Sequence, residues 1–62
     1  MEEFKFEVGS YLTSDNGNTY VEVIETMVKY DGIKMYGLRV VDNGHEFNQS
    51  ANITEEVYEK VC

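Results

Sequence analysis

Apolar and polar positions alternate strictly from Phe4 to Leu12. Phe4, Phe6, Val8, Ser10 and Leu12 fall on one side, and Lys5, Glu7, Gly9 and Tyr11 on the other. That is the period of a half-buried strand. Two further β-rich runs follow, from Thr19 to about Tyr30 and from Ile33 to about Val41, and a shorter one spans His45 to Gln49. The boundaries are Asn16-Gly17, Asp31-Gly32 and Asn43-Gly44. Asn-Gly or Asp-Gly between β-rich runs signals a hairpin, because a two-residue type I′ turn needs φ > 0 at both central positions.

Two-residue loops at all three sites fix a register. Leu12 then pairs with Val21, Phe6 with Met27, Met27 with Tyr36, Val23 with Val40, and Val40 with Phe47. Directly paired residues share a face. One face therefore collects Phe4, Phe6, Val8, Leu12, Val21, Val23, Met27, Tyr36, Leu38, Val40 and Phe47. Glu25 falls on this face as well, which calls for a bulge, a strong twist or a place at the rim. After the strands, Asn52 or Thr54 can cap a helix from about Asn52 to Val61, with Glu55 and Glu56 near its positive end. Ile53, Val57 and Val61 form its apolar stripe, and so short a helix must dock on the sheet. The expected fold is one α+β domain over residues 1–62, a four-stranded antiparallel meander with a short C-terminal helix on one face.

The opposite face is less polar than a solvated sheet should be: it holds Ile24, Val28, Ile33 and Met35 alongside Glu22, Thr26 and Arg39. Such a patch implies either an interface, with a homodimer through the outer sheet face, or a sheet curled into a small barrel with these residues inside.

Charge narrows the function classes. Twelve Asp and Glu against five Lys and Arg give a formal net charge of −7. That field repels nucleic acid and anionic membranes and attracts basic partners. The five cations are scattered, whereas phosphate binding needs them clustered. No run is long enough to span a membrane and no signal peptide is visible, so a reducing, cytoplasmic setting is expected. His45 follows a turn and has no partner for acid–base work. Cys62 is the only cysteine and ends the chain, a position that suits an inert thiol. The Asp15–Asn18 and Asp42–Gly44 clusters lack the spacing of a calcium loop and read as turns. No enzyme, metal site or cofactor is expected.

The stretch Phe4-Lys5-Phe6-Glu7-Val8-Gly9-Ser10-Tyr11-Leu12 resembles the opening of SH3-like small barrels, which implies a protein- or peptide-binding adaptor using Tyr11, Tyr20, Tyr30 and Tyr36. In size, charge and β-rich make-up the whole chain resembles the small acidic phage proteins that mimic DNA. That resemblance implies an inhibitor whose carboxylates occupy the basic surface of a host nucleic-acid-binding protein. The residues expected to meet the partner are Glu22, Asp42, Glu46, Glu55, Glu56 and Glu59.

Overall fold

The computed structural model describes residues 4–14, 17 and 19–61. The expected turn residues Asp15, Asn16 and Asn18, the first three residues and Cys62 lie outside them. The elements are β1 (Tyr11–Ser14), β2 (Tyr20–Val28), β3 (Lys34–Val40), β4 (Glu46–Ser50), α1 (Ala51–Val57) and β5 (Tyr58–Lys60). The fold is α+β, as expected. The sheet has five antiparallel strands rather than four, in the order β4-β3-β2-β1-β5. The fifth strand forms from residues assigned above to the helix. Leu12 pairs with Lys60, Thr13 with Glu59 and Ser14 with Tyr58, so the C-terminus returns beside the first strand. The two outer strands, β4 and β5, are not paired with each other, and the sheet is open.

Turn chemistry explains the register. Lys29 N–H donates to Ile33 O at 2.9 Å, enclosing Tyr30, Asp31 and Gly32 in a three-residue loop. Only Gly32 has positive φ there (+88°), and no described non-glycine residue does. The loop is therefore not type I′; one left-handed glycine closing a three-residue hairpin suffices. This slips β3 by one residue, and a bulge between Val23 and Glu25 slips it by one more. A slip of two restores parity. Val21 faces Val40 and Val23 faces Leu38 on the core side, while Glu25 is carried to the outside opposite Gly37. The two slips are matched. Between loop and bulge, however, parity is inverted: Met27 pairs with Met35, and Thr26 rather than Met27 faces Tyr36. On the other side of β3, a four-residue loop replaces two, and Leu38 rather than Val40 faces Phe47. Leu12 does pair with Val21.

The N-terminal alternation is not a full strand. Ser10 N–H donates to Glu7 O at 3.0 Å, and Gly9 has φ +96°. Positive φ at the third position marks a type II turn. Val8 is therefore exposed at its tip rather than buried, and Phe6 does not pair with Met27. Residues 4–6 instead fold over the inner face. The rings of Phe4 and Phe6 lie 5.3 and 5.8 Å from that of Tyr36. Phe6, Leu12, Val21, Val23, Tyr36, Leu38 and Ala51 make the buried core, flanked by Phe4, Val40, Phe47 and Tyr58.

The helix begins one residue after β4 ends, with Ser50 as its N-cap rather than Asn52 or Thr54. With no connecting loop, the end of β4 fixes the rotation of α1. The small Ala51 and Thr54 approach the sheet, and Ile53, Val57 and Val61 stay exposed. Thr54 can be buried because its hydroxyl lies 2.8 Å from Ser50 O and 2.9 Å from Gln49 Oε1. At Tyr58 the backbone turns extended (φ −106°, ψ 151°) and the chain enters β5.

Candidate functional site

The inner face is closed by α1 and the N-terminal segment. The outer face is open, and its composition follows from the register. Tyr11 pairs with Glu22, Glu22 with Arg39 and Arg39 with Glu46. Val61 N–H reaches Tyr11 O at 2.7 Å, adding Val61 to the same cross-strand row. The neighbouring row runs Glu59, Thr13, Tyr20. Val41 N–H reaches Tyr20 O at 2.9 Å and extends that row to Val41. Tyr11, Tyr20 and Val41 are each about half exposed. Two tyrosines and two valines thus share one surface with carboxylates.

Arg39 lies between two of those carboxylates, with Nε 3.3 Å from Glu46 and an Nη 3.7 Å from Glu22. These side chains are partly solvated, so each pair stabilises the fold by only ~0–1 kcal/mol. The bulge adds Glu25 to the same side. Gly37 makes room for it, since a Cβ on Gly37 would lie 3.1 Å from Glu25 Cβ. Glu22, Glu25, Glu46 and Glu59 share the outer face with Arg39, and Lys29, bonded to Ile33 one step beyond the Val28–Lys34 pair, has the same outward parity at the hairpin end. Lys5 and Lys34 lie elsewhere, over the Phe6 and Phe4 rings on the inner side.

The six expected partner-binding residues therefore separate. Glu22, Glu46 and Glu59 share the outer face, Glu22 near its middle, Glu46 on one edge strand and Glu59 on the other. Asp42 is exposed in the β3–β4 loop, and Glu56 is exposed on α1, across the sheet from them. Glu55 does something else. Its Oε2 accepts from Tyr36 Oη–H at 2.6 Å and from Lys5 N–H at 3.1 Å. The Tyr36 hydroxyl in turn accepts from the buried Phe6 N–H at 3.0 Å. Burial works to raise the Glu55 carboxyl, but these hydrogen bonds and the charges of Lys34 and Lys5 outweigh it and hold the group below its ordinary value. Burial, then the bond to Glu55, pushes the Tyr36 phenol up to about 12. Glu55 is a clasp for the N-terminal segment rather than part of an exposed charge surface.

The apolar quartet also divides. Ile24 and Met35 are half-buried on the outer side, and Ile33 is exposed beyond the start of β3. Val28 pairs with Lys34 and so points to the opposite face from Met35. Of the four tyrosines considered for an adaptor, Tyr11 and Tyr20 share the outer face, Tyr30 is fully exposed at the hairpin tip, and Tyr36 is fully buried. Glu25 was the outer-face residue hardest to foresee, and its inward parity was the available signal of a bulge.

Among the described residues no cluster of His, Cys, Asp and Glu could hold a metal ion, and no helix is long and apolar enough to cross a membrane. No protein-family model, curated protein or solved structure matches this chain.

Proposed function

We propose that this protein is a non-enzymatic binding module whose outer sheet face takes a basic surface of another protein, in the manner of a DNA-charge mimic that occupies a nucleic-acid-binding site. The observation that carries the reading is the excess of acid on this face: four carboxylates against Arg39 and, at the hairpin end, Lys29, beside exposed Tyr11, Tyr20, Val41 and Val61. Carboxylates held on strands meet cations with charge-assisted hydrogen bonds and little ordering on binding. Exposed pairs are individually weak, so apolar and aromatic contact beside them must supply much of the affinity. Charge also favours a cationic partner over a second copy, because two such faces brought together would oppose carboxylate to carboxylate at a net charge of −7 per chain. The mimic surface is then the sheet, with Glu22, Glu25, Glu46 and Glu59, and not the helix run of Glu55, Glu56 and Glu59.

A second reading, an SH3-like adaptor for a peptide, is favoured by the adjacent Tyr11 and Tyr20 and by the return of β5 beside β1. Competition separates the two. Mimicry predicts that the protein displaces labelled DNA from a basic DNA-binding protein, that added salt suppresses this, and that changing Glu22, Glu25 and Glu59 to Gln abolishes it. An adaptor leaves the DNA bound and retains its peptide at high salt. Displacement of DNA undiminished in the triple variant would overturn the mimicry reading.

A further inference from the structure

We infer that the open edge of β4 accepts an extended, antiparallel segment of the partner with a lysine or arginine opposite Glu46; this deepens the proposed function and rests on it. The two edges of the sheet differ. β5 is three residues long, and the N–H of Tyr58 is already bonded to Thr54 O. β4 has five residues with no lysine, no proline and no register shift, the usual means of blocking an edge.

The direction of its backbone groups follows from one hydrogen bond. Val40 N–H donates to His45 O at 2.8 Å, so Val40 and His45 form a hydrogen-bonded pair. Bonded and non-bonded pairs alternate along an antiparallel ladder. Glu46 opposite Arg39 and Asn48 opposite Gly37 are therefore non-bonded pairs. Their N–H and C=O groups point away from β3, along the free edge. Two donors and two acceptors at alternate residues are what one more antiparallel strand requires.

Side chains specify what that strand carries. Glu22, Arg39 and Glu46 alternate in sign across β2, β3 and β4, and the row ends at the edge on an anion. Opposite charges directly across a ladder stabilise and like charges destabilise, so the next strand continues the row with a cation. Its preceding residue lies beside Phe47, which is half-buried and stacked on His45 at 6.1 Å, and is apolar. The one before faces exposed Asn48 and is polar. Read from N to C, the segment is polar, apolar, cationic. A second copy of β4, Glu46–Ser50, has no cation to place opposite Glu46.

The test uses the full chain, isotopically labelled, and two blocked peptides of about eight residues centred on Thr-Val-Lys and Thr-Val-Glu. The lysine peptide should protect the Glu46 and Asn48 amides from exchange. It should bind roughly tenfold more tightly than the glutamate peptide at low salt, with the gap closing as salt rises. Asn48→Pro removes an outward donor while leaving the β3 ladder intact, and should abolish binding. Should that variant not fold, Glu46→Gln leaves the backbone unchanged and should remove the preference between the peptides. Equal binding of both peptides to the wild type, protection centred away from β4, or self-association of the chain through β4 overturns the inference. A basic partner that is lost with the Glu22, Glu25 and Glu59 triple variant but still held by Asn48→Pro overturns the edge while leaving the outer face standing.

Discussion

Replacing Tyr36 by Phe removes one oxygen from the centre of the molecule. The ring is fully buried between Phe4, Phe6 and the sheet, so packing is retained. Two hydrogen bonds are lost together. Phe6 N–H, buried and 3.0 Å from the hydroxyl, is left without a partner, and Glu55 loses its 2.6 Å donor. A stranded buried donor costs ~1–3 kcal/mol and a bond to a charged group contributes ~1.5–3 kcal/mol. Water reaching half-buried Glu55 offsets part of this, leaving a net loss of about 2–4 kcal/mol. A chain of this size has only roughly 3–9 kcal/mol of stability in total. Urea unfolding followed by circular dichroism reads the change as a fall in midpoint of about 2–4 M if the m-value is about 1 kcal/mol/M. Glu55→Gln alone and the double variant complete a cycle whose coupling should be about 1 kcal/mol or more. If Tyr36→Phe unfolds within about 0.5 kcal/mol of wild type, the clasp does not hold the N-terminal segment and the reasoning fails.

The same clasp makes stability depend on pH at both extremes. The folded-state Glu55 pKa lies below its ordinary 4.5, so its contribution is complete above that value and is lost as pH falls through the lowered one; acid titration of Glu55→Gln should lack this component. The Tyr36 pKa rises from 10.0 to about 12, so its contribution is complete below 10 and is lost as pH rises toward 12, a loss that alkaline unfolding of Tyr36→Phe should not show. Gly37→Ala should destabilise by about 1–3 kcal/mol through the contact with Glu25 Cβ, and Glu25→Gly in the same chain should recover much of it in thermal melts. Val57→Ser should shift stability by no more than about 0.5 kcal/mol, because this helix residue faces solvent; a loss of several kcal/mol would return the apolar stripe to the core.

Much of the core was legible from parity, with Val8 and Met27 the exceptions. Phe6, Leu12, Val21, Val23, Tyr36 and Leu38 all have inward parity and are buried, although of the pairs expected for them only Leu12–Val21 forms: Val23–Val40 is off by two residues, Met27–Tyr36 by one, and Phe6 lies outside the strands. A slip of two is invisible to an alternating pattern, and the loop at Gly32 and the bulge before Glu25 conceal each other in that way. Glu25 alone betrayed them. The rotation of α1 could not be read from its own periodicity, because the direct β4-to-helix junction sets it and the apolar residues Ile53 and Val57 are left outside. Val61 misled for a different reason, since it continues the β5 ladder beside Tyr11 rather than a helix face. The candidate site was legible in part. Glu22, Glu46 and Glu59 follow from charge, and Glu22 shares a face with Tyr11 by alternation, but the place of Glu59 and Val61 beside them depends on a fifth strand for which the sequence held no turn signal. The clasp role of Glu55 depends on the N-terminal segment leaving the sheet at Gly9, which strict alternation argued against.

On the proposed function, the outer sheet face and not the helix meets a basic partner. One measurement tests it directly: a heteronuclear NMR titration of the labelled chain with a basic DNA-binding protein whose DNA it displaces. Resonances of Tyr11, Tyr20, Glu22, Arg39, Val41 and Glu59 should move or broaden first, while those of Ile53, Glu56 and Val57 hold still. Perturbation confined to the helix, with the sheet face unmoved, would contradict it.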